Sequence, residues 1–149
     1  VDTSAPDSSS TSVSIDNITA DNILNATEAT GNVTISGSVS GEYRVGDAVN
    51  VNVNGTDIPT TVQTGGTWSI SVAGSELVAD ADKTIHVSVS ASDAAGNVGV
   101  VTQDKLYSVD TSAPDSSSTS VSIDNITADN ILNATEATGN VTISGSVSG

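Results

Sequence analysis

The stretch AVNVNVNGTDIPTTVQTGGTWSISV, Ala48–Val72, decides how this chain folds. Val49, Val51 and Val53 alternate with Asn50, Asn52 and Asn54, and Trp68, Ile70 and Val72 alternate with Ser69 and Ser71. A period of two, apolar on one face and polar on the other, is the mark of an antiparallel strand with one side buried. Asn54-Gly55 sits between two such runs, and both residues tolerate the positive φ that a two-residue hairpin requires. Gly65-Gly66 supplies a second tight turn just before Trp68.

Working outward, the same alternation recurs in SVSIDNI (Ser12–Ile18), NVTISGSV (Asn32–Val39) and TIHVSVSAS (Thr84–Ser92). No stretch has a helical period of useful length. The pattern predicts strands over about Ser10–Ile18, Asn32–Ser40, Ala48–Asn54, Asp57–Gln63, Thr67–Ala73, Lys83–Ser92 and Asn97–Tyr107. Seven short strands separated by turns imply an all-β, immunoglobulin-like antiparallel β-sandwich. Its core is thin, since the chain has no Phe or Met and a single Trp. Small side chains bury less apolar area each, so such a module is expected to need another source of stability.

Val109–Gly149 repeats Val1–Gly41 letter for letter. Residues 1–108 therefore read as one complete repeat, and 109–149 as the linker and first two strands of the next identical one. A piece of that length without cysteine is not expected to fold alone. It should take its order from the first module, a metal or a neighbouring chain. The partners this organisation implies are neighbouring identical repeats in the same chain.

Eighteen acidic residues face three basic ones, Arg44, Lys83 and Lys105. That balance argues against nucleic acid and anionic membrane surfaces, which both need basic patches. No apolar run is long enough to span a bilayer. Disorder, the other common consequence of high acidity, is excluded by the strict apolar patterning. With no cysteine, a disulfide framework cannot exist.

In a seven-stranded sandwich the acids collect at the two ends. One end should hold Asp16, Asp21 and Glu28 from DNITADNILNATEAT, Asp80 and Asp82 from VADADK, Asp104, and the linker residues Asp110 and Asp115. The other end should hold Asp2, Asp7, Asp93 and Asn97, with Glu42 and Asp47 nearby. Asp57 and Glu76 read as plain surface charge. Two unit charges about 4 Å apart repel by roughly 4 kcal/mol at an effective dielectric near 20. Hard divalent cations relieve this, and Ca2+ suits Asp, Glu, Asn and carbonyl oxygens. At tenfold excess over its dissociation constant, each independent site adds about 1.4 kcal/mol. Several such sites per repeat, the linker included, would rival the thin core.

The combination VDTSAPD, DNILNATEAT, NVTISGSVSGEYRVGDAVNVNVNG, GTWSISVAGSEL and SASDAAGN resembles the bacterial immunoglobulin-like tandem repeats of giant type I-secreted RTX adhesins. The resemblance spans the whole repeat. It implies an extracellular, cell-surface extender that holds a distal adhesive domain away from the cell and is stiffened by calcium. It also implies metal ligands at Asp16, Asp21, Glu28, Asp93 and Asp110. The identical copy repeats the first three as Asp124, Asp129 and Glu136. Type I export passes an unfolded chain, so a module that needs Ca2+ to fold would stay exportable in the calcium-poor cytosol.

Catalysis finds no support. His86 is the only histidine and points opposite to Ile85, Val87 and Val89, towards solvent. GSVSG, Gly37–Gly41, has Val39 where a nucleophile elbow needs serine. No phosphate-binding glycine motif or zinc ligand set occurs, and no small-molecule substrate is expected. The competing reading is a Ca2+-dependent carbohydrate- or surface-binding sandwich, with Trp68 or Tyr43 stacking on a sugar. Trp68 begins an alternating strand, so it is expected to fill the core or cover one end of it.

Overall fold

The computed structural model describes every residue, Val1–Gly149. Its elements run β1 (Thr11–Ile15), β2 (Ile23–Leu24), β3 (Asn32–Gly41), β4 (Ala48–Val53), β5 (Thr56–Thr61), β6 (Thr67–Ala73), α1 (Gly74–Ala79), β7 (Thr84–Ser92), β8 (Val98–Leu106), β9 (Ser108–Val109), β10 (Ser120–Ile123) and β11 (Gly145–Ser148). Short 3-10 turns occupy Glu28–Thr30 and Glu136–Thr138. Two compact units result, Val1–Ser112 and Ala113–Gly149.

In the first unit, β1, β3 and β6 form one antiparallel sheet in the order β1-β3-β6. A second runs β5-β4-β7-β8. The seven long strands give the expected immunoglobulin-like sandwich. Asn54 and Gly55 adopt φ of 50° and 76° and close the β4–β5 hairpin, with Val53 opposite Thr56. Pro59 lies on β5, an edge strand, where a missing N–H costs no ladder bond.

The alternating residues meet between the sheets. Val33, Ile35 and Val39 of β3 and Trp68, Ile70 and Val72 of β6 share one core with Val49, Val51 and Val53 of β4 and Ile85, Val87 and Val89 of β7. Trp68 is 1% exposed. The indole needs room, and Gly37 provides it. A Cβ built on Gly37 would lie 2.6 Å from Trp68 Cζ2 and would collide with the Ser14 carbonyl oxygen. Fully burying a Val- or Ile-sized side chain contributes about 1.5–3 kcal/mol, so the core rests on many modest contributions.

Two expectations need correction, and one pairing is new. The first strand ends at Ile15, not Ile18, because Asp16–Asn22 turns away to plug one end of the sandwich with the buried Ile18. Leu24 then joins the core from β2, which pairs in parallel with β9. Gly74–Ala79, read as non-helical, forms α1 and buries Leu77 completely. Six residues are too few to display a helical period.

The second unit pairs β10 with β11 in the register that β1 and β3 use, Ser120 opposite Ser148 as Ser12 is opposite Ser40. Its apolar residues are exposed, however. Val121 is 77% and Ile143 70% exposed, against 7% for Val13 and 1% for Ile35, their sequence equivalents. Within this unit there is no counterpart of β6 or of the facing sheet. β11 accordingly begins at Gly145, whereas β3 begins at Asn32, whose first seven residues pair with β6.

Candidate metal-binding ends of the repeat

Along β7 and β8, Thr84 pairs with Leu106 at one end and Ser92 with Val98 at the other. Asn97 Nδ2 donates to the Asp2 carbonyl oxygen (3.2 Å), and a Cβ on Gly99 would strike the Pro6 carbonyl. The chain therefore arrives beside the β7–β8 loop. It leaves beside β2, where Ser108 N donates to Asn22 O (3.1 Å) and Asp110 N to Leu24 O (2.9 Å). The repeat is passed through lengthwise.

At the arriving end, Asp93 is nearly buried. Its two oxygens accept from Asn97 N and Nδ2, each at 2.8 Å. The Asn97 side chain leads the hydrogen bonds that hold this carboxyl below its ordinary value. Asp2 Oδ1 accepts from Ser4 N (3.1 Å). Asp7 Oδ1 accepts from Ser9 N (2.8 Å) and Ser9 Oγ, which lower its pKa, the hydroxyl foremost. Asp47 proves structural: its Oδ2 takes the amides of Arg44 and Ser92, each at 2.8 Å, and Arg44 Nη2 donates to Ala94 O (2.6 Å).

At the departing end, Asp16 Oδ2 accepts from Ser36 Oγ (3.0 Å). Asp21 Oδ1 accepts from Ile23 N (3.0 Å) and Thr19 Oγ1 (3.1 Å), and these bonds, the Ile23 amide first, lower its pKa. Glu28 Oε2 takes the Asn25 amide while Asn25 Oδ1 takes the Glu28 amide, both at 2.9 Å. This is a reciprocal capping box across a three-residue spacing. Asp110 Oδ1 accepts from Ser112 N (3.0 Å).

Asp80 meets Tyr107, and Asp82 and Asp104 flank His86, whose side chain is partly exposed as its place opposite Ile85, Val87 and Val89 implied. Asp80 is 4% exposed and receives the Tyr107 hydroxyl (3.2 Å). His86 Nε2 lies 3.0 Å from Asp82 Oδ2, and Nδ1 lies 2.9 Å from Asp104 Oδ1. Asp82 and then Asp104 raise the imidazole pKa. His86 in turn, and then a contact with Asp80, depress that of Asp82. The register explains the cluster, since His86 is directly opposite Asp104.

In the second unit, Asp115 repeats the Asp7 geometry with Ser117, Asp124 pairs with Ser144, Asp129 with Thr127 and Ile131 N, and Glu136 with Asn133. In neither unit does a group of three or more His, Asp or Glu side chains gather as a metal-binding set.

The donor chemistry nevertheless suits a hard cation. All the candidate ligand atoms are oxygens, and there is no thiol in the chain. The only ion pairs within 4.0 Å are those His86 makes with Asp82 and Asp104. Lys83 instead gives its ammonium to the Val78 and Asp80 carbonyls. Apart from Asp82 and Asp104 on His86, the candidate carboxylates at both ends accept hydrogen bonds from neutral donors, and none pairs with a Lys or Arg side chain.

No protein-family model and no curated protein matches the sequence. Solved structures do. A bacterial immunoglobulin-like domain from the Marinomonas primoryensis ice-binding adhesin is 41% identical, with a TM-score of 0.61, over 66% of this chain and 95% of that one. This chain belongs to the bacterial immunoglobulin-like domains of ice-binding adhesins. A structure bearing on host cell surface retention of a 1.5-MDa bacterial ice-binding adhesin is 36% identical over 93% of this chain, with a TM-score of 0.77. A Ca2+-stabilized adhesin that helps an Antarctic bacterium reach out and bind ice is 40% identical over 92% of this chain, with a TM-score of 0.67. The chain spans 43% and 32% of those two structures. These immunoglobulin-like relatives are structural adhesin domains rather than enzymes.

Proposed function

We propose that the chain is a calcium-stabilised extender of a bacterial surface adhesin, one complete repeat (1–108) followed by the start of an identical one (109–149). The observation that carries this reading is the lengthwise path. Asp2 is tied to Asn97 at one end, Asp110 to Leu24 at the other, and acids without Lys or Arg partners occur at both. The Ca2+-stabilised relative supports the same reading.

The residues that would hold calcium at the departing end are Asp16, Asp21, Glu28, Asp80, Asp82, Asp104 and Asp110. At the arriving end they are Asp2, Asp7, Asp93 and Asn97. The following repeat would contribute Asp115, Asp124, Asp129 and Glu136. Bound Ca2+ supplies positive charge and oxygen coordination. The chain's part is to shape the loops that would receive the ion, through the Asn25–Glu28 box, the Asp21–Ile23 turn and the Asp93–Asn97 loop. Secretion through a type I system, an RTX parent and a cell-surface location fit the same account. A calcium requirement would keep the chain unfolded until it leaves the cell.

Sugar stacking is disfavoured because Trp68 is buried and Tyr43 packs partly against the core. The deciding experiment is thermal unfolding, followed by circular dichroism, of one-repeat and two-repeat chains in EDTA, millimolar Ca2+ and millimolar Mg2+. A Ca2+-specific rise that is larger for two joined repeats supports the extender. An identical melting temperature in all three solutions reduces the acids to surface charge and defeats the calcium proposal.

A further inference from the structure

Asn54 is the only asparagine in the chain followed by glycine. Every other asparagine precedes Ile, Val or Ala, as in Asn17-Ile18, Asn25-Ala26, Asn50-Val51 and Asn97-Val98. The difference is chemical. A main-chain nitrogen can attack the side-chain amide carbon of the residue before it, and a bulky side chain on the attacking residue shields that nitrogen. Gly55 has none. A Cβ placed on Gly55 would meet nothing within 4 Å, and both residues of the turn are exposed. The tip can therefore rotate into the attacking geometry without striking a neighbour.

One contact opposes that rotation. Asn54 Nδ2 donates to Glu76 Oε2 (3.0 Å), across 22 residues of sequence, from the hairpin to helix α1. The bond anchors the amide that must turn. It also presents the leaving nitrogen to a carboxylate that accepts a proton rather than giving one, which does not help ammonia depart.

We propose that Asn54 is a site of spontaneous deamidation in this repeat, with Glu76 as the residue that restrains it. The Gly55 nitrogen forms a bond to Asn54 Cγ and gives up its proton. The Cγ–Nδ2 bond breaks, and Nδ2 leaves as ammonia. Solvent water then opens the resulting succinimide at either carbonyl, giving aspartate or isoaspartate, with no oxidant or reductant consumed. Either product puts a carboxylate where the amide donor was, facing Glu76, so the tie between hairpin and helix is replaced by repulsion. Isoaspartate also lengthens the main chain by one carbon and spoils the two-residue turn.

The test is peptide mapping by mass spectrometry of the full chain aged in mildly alkaline buffer, with circular dichroism to check that each variant is folded. Conversion is expected at Asn54 well ahead of every other asparagine. Glu76→Ala should speed it roughly three- to tenfold, about what one lost hydrogen bond is worth. Glu76→Gln keeps an acceptor oxygen and should stay near the parent rate. A urea-unfolded sample sets the unrestrained rate, so the Glu76 effect is read against it even if Glu76→Ala loosens the helix. Conversion at Asn54 no faster than at Asn50 or Asn97 overturns the proposal, as does a rate that ignores Glu76→Ala in a folded chain.

Discussion

The hydroxyl of Tyr107 donates a 2.7 Å hydrogen bond to the main-chain carbonyl of Leu77, so the residue that follows the last long strand is fastened to the only helix. Tyr107 is buried and its oxygen also meets Asp80. Tyr107→Phe leaves the Leu77 carbonyl and Asp80 without this donor, and should cost about 1–3 kcal/mol in urea or thermal unfolding. Burial first, then the nearby Asp80, push the phenol above its ordinary value of 10.0. A raised native pKa means that the stabilisation is complete below the unfolded value and is lost as the pH climbs past it. The parent should therefore lose stability above about pH 10 more steeply than the Phe variant does.

Gly37→Ala tests the seat of the indole. The added methyl meets the Ser14 carbonyl and Trp68, and neither strand can retreat without opening the β1–β3 ladder. Overpacking of this kind costs about 1–3 kcal/mol or more. The Trp68 emission should shift to the red as the indole is displaced towards water.

His86 lies between Asp82 and Asp104, and both raise its pKa, Asp82 more. The sign follows directly. Its contribution is fully present below the unfolded value near 6.5 and fades as the pH rises through the higher native one. An NMR titration of the imidazole in EDTA should give a midpoint above the model-peptide value, and Asp82→Asn should bring it down further than Asp104→Asn. His86 is almost half exposed, so the effect on melting temperature should be small and should shrink in high salt.

Lys83 caps the helix end through its ammonium while its own backbone sits at φ 48°. Lys83→Met removes the charge but keeps most of the side chain, and should lower stability by about 1 kcal/mol. Lys83→Gly should recover part of that loss by relieving the left-handed backbone. A larger loss in the glycine variant than in the methionine variant would show that the aliphatic part of the Lys83 side chain and the extra chain entropy of glycine outweigh the relief of the left-handed backbone.

The strands were legible because alternation survives wherever one face is buried, from Val49–Val53 to Ile85–Val89. Trp68 was legible for the same reason. Helix α1 was not, since a single turn and a half offers no period to detect. The β2–β9 pairing was hidden because a two-residue ladder joins segments far apart in sequence, Ile23 opposite Ser108 and Leu24 opposite Val109, and leaves no pattern in either. That many acids lie in loops and turns could be read from their places between the alternating runs; which of them share an ion could not. Their neutral partners could be foreseen only in part: Asn25 lies three residues before Glu28, the spacing of a capping box, whereas Tyr107 on Asp80 and Asp104 on His86 require the register of strands distant in sequence.

The lengthwise path also sets how the repeat would answer a pull. Tension applied between Val1 and Ser112 enters beside the β7–β8 loop and leaves beside β2, at the opposite end of the strands. At the departing end, β9 lies parallel to β2, and the Ser108–Asn22 and Asp110–Leu24 bonds stand across the direction of force. Such bonds are sheared together, whereas those of a hairpin pulled from its open end are peeled one after another. Under load the lifetime of the fold is set by its unfolding rate rather than its equilibrium stability. A two-residue ladder that contributes little to a melting curve thus becomes a latch against shear.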